Sequence, residues 1–165
     1  MPAIQKERIG LHDMDIYARL QELGIELPPP PPVGGLYKPV QQVGNLLFVS
    51  GQGPMVAGAP EVVGKMSAER PIEEGKHAAR LCALNALSLL HRHLGDLNKV
   101  KSTVKLLAFV QSMPGFNRQP EVANGASQLL IDVFGEERGL GARSAVGTNE
   151  LPMDIAVEIE FIFEV

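Results

Sequence analysis

At the C-terminal end of the chain, apolar and polar positions alternate. Ile155, Val157, Ile159, Phe161, Phe163 and Val165 fall on one parity, with Ala156, Glu158, Glu160, Ile162 and Glu164 on the other. A period of two predicts a strand buried on one face, here with an acid-lined second face. Further upstream the period changes to that of a helix. Ala78, Leu81, Cys82, Leu84, Leu87, Leu89, Leu90 and Leu94 predict a helix over about 72–94, after Pro71 and before Gly95. Glu73 and Glu74 lie in its first turn and His91, Arg92 and His93 in its last, which is how a helix dipole prefers its charges. A second helix is predicted over 119–134, burying Val122, Ala126, Leu129, Leu130 and Val133, with Gly135 after it. Short extended runs at 36–42 and 46–50, joined by Val43, Gly44 and Asn45, read as a hairpin. Gly51-Gln52-Gly53-Pro54 breaks the second of these, and 55–64 is a connection punctuated by glycine and proline. Residues 104–111 read as a central apolar strand, and 143–149 as a short strand after Gly139 and Gly141.

Residues 1–35 differ from this pattern. Asp13 is placed to cap a short helix whose Ile16, Leu20 and Leu23 share a face, with Gly24 as its stop. Five prolines follow at 28–32, a run that forms neither helix nor ladder and reads as a stiff extended arm rather than a ligand for a proline-recognition domain. The order is therefore β-β-α-β-α-β-β behind a helical and proline-rich extension, and the expected division is 1–35 and 36–165. Two helices interleaved with a mostly antiparallel sheet make an α+β two-layer domain. Two helices leave much of such a sheet uncovered, so an oligomer is expected.

Composition narrows the function classes. The 165 residues suit one domain, and 45% apolar with 21% charged residues is the balance of a soluble globular protein. Aromatics are 5% and tryptophan is absent, so the core is aliphatic. The net charge of −4, with no basic run, disfavours nucleic acid as the main partner. A single cysteine, Cys82, excludes an intrachain disulfide and reads as a small buried hydrophobe. The four histidines have no metal-binding spacing, so no metal is expected. No apolar stretch reaches the ~18 residues of a membrane span. The N-terminus has no apolar signal core, and the expected location is the cytoplasm.

No phosphate-binding loop or nucleophile elbow is present. What remains is a set of polar residues at strand ends. Arg143 opens a strand after a glycine-rich loop. Its planar guanidinium suits a carboxylate or phosphate, although by itself an arginine there is most simply a surface ion pair. Glu158 and Glu160 share a strand face, which is either solvated or, if neighbours raise a pKa, the site of a general acid/base. Ser50 and Gly51 either line a pocket with backbone amides or form a turn. Tyr37 has packing as its simplest role.

Taken together, Ala142-Arg143-Ser144-Ala145-Val146, then Glu150-Leu151-Pro152, then Ala156-Val157-Glu158-Ile159-Glu160 resemble the signature of the reactive-intermediate (enamine/imine) deaminase family, also called YjgF or L-PSP. Residues 45–54 (NLLFVSGQGP) resemble that family's strand-and-turn segment, and Asn124 resembles the asparagine that opens its second helix. The resemblance covers about 36–165. It implies a chorismate-mutase-like fold, a homotrimer with ligand sites between subunits, no cofactor, and hydrolysis of 2-aminoacrylate-like imines to 2-keto acids and ammonia. It implies further that Arg143 holds the substrate carboxylate and that Glu158 positions water. Tyr37, Ser50, Gly51, Asn124 and Ala145 would line the site. Ala145 stands where the family often has cysteine, and Gly34-Gly35-Leu36 precedes Tyr37 where Gly-Pro is usual. With the long extension, these departures suggest a divergent branch. A module that binds small carboxylates without turnover is the alternative, and an endoribonuclease, a description some members carry, is the weaker one.

Overall fold

The computed structural model describes residues 14–165. In chain order the elements are α1 (Ile16–Glu22), β1 (Val40–Val43), β2 (Leu46–Gln52), β3 (Met55–Val56), β4 (Ala59–Pro60), α2 (Ile72–Leu94), β5 (Ser102–Gln111), α3 (Gln119–Phe134), α4 (Glu136–Gly139), β6 (Ala142–Thr148) and β7 (Val157–Glu164). Five strands form one sheet in the order β1-β2-β7-β5-β6, while β3 and β4 pair separately as a small hairpin. The pairs within the large sheet are antiparallel except β5 with β6, which run parallel. That is the pairing expected when a helix, α3, forms the connection between two strands.

Burial alternates along β7: Val157, Ile159, Phe161 and Phe163 are buried, and Glu158, Glu160, Ile162 and Glu164 lie on the opposite face. The buried parity faces α2 and α3, whose Ala78, Ala79, Cys82, Ala86, Val122, Ala126, Leu129 and Val133 complete the core. Both long helices cover this one face. The other face carries Phe48, Leu107, Phe109, Ile162 and Val146 among the glutamates, with no helix over it among the described residues. Both predicted helices span the expected residues. Their packing is close because Gly125 on α3 meets the α2 backbone: a β-carbon there would lie 2.6 Å from the Lys76 carbonyl carbon and 2.8 Å from its Cα.

The N-terminal segment joins the same core. Ile16 and Leu20 are buried in it. The helix N-cap is Asp15, whose carboxylate accepts from the Tyr17 N–H at 3.1 Å, and Asp13 lies outside the described residues. The Tyr17 hydroxyl accepts from the Leu97 N–H at 2.9 Å and lies 2.8 Å from His91 Nδ1, while Arg19 Nε donates to the Asp132 carbonyl at 2.8 Å. The first sheet strand is shorter and later than the 36–42 expected. Pro39 has no N–H to donate, so the ladder starts with Val40 opposite Val49. Leu36 and Tyr37 lie outside the strand and are exposed. No described helix is long and apolar enough to cross a membrane.

Candidate functional site

Arg143 is the second residue of β6 and pairs with buried Leu106 of β5, so its side chain rises on the helix side of the sheet. There α3 receives it. Nη1 donates to Asn124 Oδ1 at 2.8 Å and to Ser127 Oγ at 3.1 Å, and Nη2 donates to the Pro120 carbonyl at 3.2 Å. All three acceptors are neutral. Among the described residues no carboxylate pairs with Arg143, so the surface ion pair expected of a lone arginine is not what forms. The guanidinium is held in position with its charge uncompensated. The Nε–H and one N–H of Nη2 have no partner among the described residues, the donor set a carboxylate or phosphate requires. Asn124 is the sixth residue of α3, not its opening residue, and it lies three positions before Ser127 on the same helix face. The groove beside this guanidinium has a volume of about 810 Å³, and Arg143, Asn124, Ser127, Gln128, Lys76 and Arg80 are among its lining.

A second group gathers on the opposite face. Glu158 pairs with Phe109, which in turn pairs with Val146. Its carboxylate has no hydrogen-bond partner among the described residues. It passes over Gly51, at the irregularity where β2 shifts register against β7 between Val49 and Gln52. Burial, reinforced by the nearby Glu160 charge, pushes the Glu158 pKa above the ordinary carboxylate value. Ser50 lies beside this bulge, its Oγ donating to the Lys38 carbonyl at 2.7 Å and its N–H to the Pro39 carbonyl at 3.0 Å. Those bonds fix the loop that carries Tyr37, whose hydroxyl accepts from the Gly34 N–H at 3.3 Å.

The chain therefore brings Asn124 and Arg143 together in one place and Ser50, Gly51 and Glu158 in another, while Tyr37 is exposed with its hydroxyl on Gly34. Arg143 and Glu158 are separated by three residue positions and two strand spacings, roughly 14 Å in the sheet plane, and they project from opposite faces. Ala145 pairs with buried Ala108 and points to the helix side, as Arg143 does. Cys82 is fully buried, and burial, with the Glu158 charge, pushes its thiol pKa up, which disfavours a thiolate.

Residues 17–163 match the family model described as "YjgF/chorismate mutase-like, putative endoribonuclease". The chain belongs to this YjgF/chorismate-mutase-like family. It is 44% identical over 149 residues to Protein TCP17 of Trypanosoma cruzi, covering 90% of this chain and 93% of that one. It is 30% identical over 136 residues to a RutC family protein of Pyrococcus abyssi, covering 81% and 88% of the two chains. Among solved structures, a protein of unknown function from Agrobacterium tumefaciens superposes with a TM-score of 0.81 at 42% identity, covering 94% of this chain and 95% of that one. A structure named a putative endoribonuclease, from Shewanella oneidensis, gives 0.87 at 30% identity, covering 92% and 100%. The α+β two-layer architecture is the YjgF fold.

Some of the residues around Arg143 in this YjgF-family chain escaped the sequence reading. Ser127 and the Pro120 carbonyl share the load with Asn124, and the signal for Ser127 was its place three residues after Asn124 on a polar helix face. Lys76 and Arg80 escaped as well, although their spacing of four puts both on one face of α2.

Proposed function

We propose that this chain hydrolyses reactive enamine and imine intermediates of the 2-aminoacrylate type to 2-keto acids and ammonia, in clefts between subunits of a homotrimer and without a cofactor. The observation that carries this reading is the Arg143 guanidinium, oriented by three neutral acceptors and left with its positive charge and two N–H groups for a ligand. A 2-imino acid supplies the matching carboxylate. Water adds to the C=N carbon, the resulting carbinolamine loses ammonia, and the 2-keto acid remains. Glu158, its pKa raised, is suited to take the proton from water and return it to the departing nitrogen. Imines already hydrolyse in water, so orientation and one acid/base group, the latter ~10²–10⁴-fold, suffice.

The separation of Arg143 from Glu158 within a chain is why this reading needs an assembly. The Glu158 group, with Tyr37 and Ser50, would face the Arg143 group of a neighbouring copy. The same separation favours a second reading, a carboxylate-binding module, because the anion-holding half is complete in one chain and the water-activating half is not. A nuclease role fits poorly with a net charge of −4. The test is ammonia release from enzymatically generated 2-aminoacrylate. Acceleration over buffer supports the hydrolase, and binding of 2-ketobutyrate without acceleration supports the module.

A further inference from the structure

The groove beside Arg143 holds two further cations, Lys76 and Arg80. Lys76, Arg80 and Arg143 line it beside the carboxylate of Glu73, with His77 also at its wall and the Asp132 carboxylate 4.0 Å from Arg80, in a chain whose overall charge is −4. A volume of about 810 Å³ is also far more than a three-carbon imine fills. Lys76 and Arg80 stand one turn apart on α2 and face α3. Lys76 Nζ pairs with Glu73 at 3.0 Å, an exposed contact within its own helix.

Arg80 is the less committed cation. Its nearest carboxylate, Asp132, is 4.0 Å away, and the other Asp132 oxygen already accepts from Gln128 Nε2 at 2.8 Å. No hydrogen bond satisfies the Arg80 guanidinium among the described residues. Arg143 is anchored at Asn124 and Ser127, whereas Arg80 approaches Asp132, eight and five residues further along α3, so their anchor points are about 7–12 Å apart along the helix. A short dicarboxylate held at hydrogen-bond distance at each end reaches across the lower end of that span.

We propose that Arg80, supported by Lys76, forms a second anion subsite in this groove, and that the substrate class is the 2-imino dicarboxylates. This rests on the imine-hydrolase reading for its chemistry. The C2 carboxylate would sit on Arg143 and the distal carboxylate on Arg80. Water oxygen would end on C2 and nitrogen would leave as ammonia, giving a 2-oxo dicarboxylate.

The experiment uses the full-length protein and needs no turnover. Wild type, Arg80→Ala, Arg80→Glu and Arg80→Lys are titrated calorimetrically with 2-oxoglutarate and with 2-oxobutyrate, which differ in the distal carboxylate. The wild type is expected to prefer 2-oxoglutarate by about tenfold, as one added charge-assisted contact allows. The preference should vanish in Arg80→Ala, reverse in Arg80→Glu and return in part in Arg80→Lys, with thermal melting verifying that each variant is folded. Equal affinities in the wild type, a preference unchanged in folded Arg80→Ala and Arg80→Glu, or no binding of either acid would overturn the subsite. Ammonia release from 2-iminoglutarate and 2-aminoacrylate tests the chemistry separately. A binding preference with no release keeps the subsite and removes the hydrolase, whereas release with no preference does the opposite.

Discussion

The carboxyl group of Glu158 occupies the space that a side chain at Gly51 would need. A β-carbon on Gly51 would lie 2.9 Å from the Glu158 carboxyl carbon and 3.0 Å from its Cγ. The bulge of β2 and the glycine within it thus set where this carboxylate rests. Because the obstructing atoms are the end of a flexible side chain, Gly51→Ala should fold and displace Glu158. Imine hydrolysis is expected to fall about as far as in Glu158→Gln, by ~10²–10⁴-fold, with little change in melting temperature. Wild-type turnover in a folded Gly51→Ala protein would show that the position of Glu158 is immaterial.

Arg143→Ala should weaken 2-ketobutyrate binding by roughly ten- to a hundredfold, the value of ~1.5–3 kcal/mol for hydrogen bonds to a charged group. Arg143→Lys should recover little of it, since an ammonium reproduces neither the planar fork nor the three contacts to α3. Calorimetry on both variants, with gel filtration to follow assembly, checks this. Disrupted assembly with intact binding would make Arg143 a structural residue.

Asn124→Asp should convert the proposed ligand site into an internal ion pair. The carboxylate would meet Nη1 where the neutral amide oxygen now accepts at 2.8 Å, and would compete with the ligand for the charge. The expected result is a raised KM for carboxylate substrates together with unchanged or higher thermal stability. An unaltered KM would count against charge availability as the property that matters.

Gly125→Ala should be costly to the fold instead of the site. The obstruction is the α2 backbone at Lys76, which cannot swing aside as a side chain does. Overpacking of this kind costs ~1–3 kcal/mol, and denaturant melts should register it as a lowered midpoint with a similar slope.

Glu158 gives stability a defined pH dependence. Its folded pKa is raised, so the folded chain holds this proton more tightly than the unfolded chain does. The favourable contribution is complete below the ordinary carboxylate pKa and is lost as pH rises through the raised folded value. Glu158→Gln removes that loss, so the variant should gain on the wild type as pH rises across this window. Parallel stability profiles for the two proteins would contradict the raised pKa.

Where local spacing carries the information, the sequence was sufficient. The alternation from Ile155 onward makes β7, and the helical periods together with Gly95 and Gly135 delimit α2 and α3, because each depends on neighbours within a few residues. The polar residues Arg143 and Glu158 were also visible there as candidates. Their relationship was not. That Asn124 and Ser127 meet Arg143 depends on α3 crossing back over the parallel β5–β6 pair. That Glu158 lies across Gly51 depends on a register shift between β2 and β7, and that it faces away from Arg143 depends on strand parity counted through β5. The late start of β1 at Val40 reflects a proline without a donor as well as the lack of a strand beside Leu36. Contacts between residues distant in the chain are set by how layers pack and which strands pair, and neither composition nor periodicity encodes them one segment at a time.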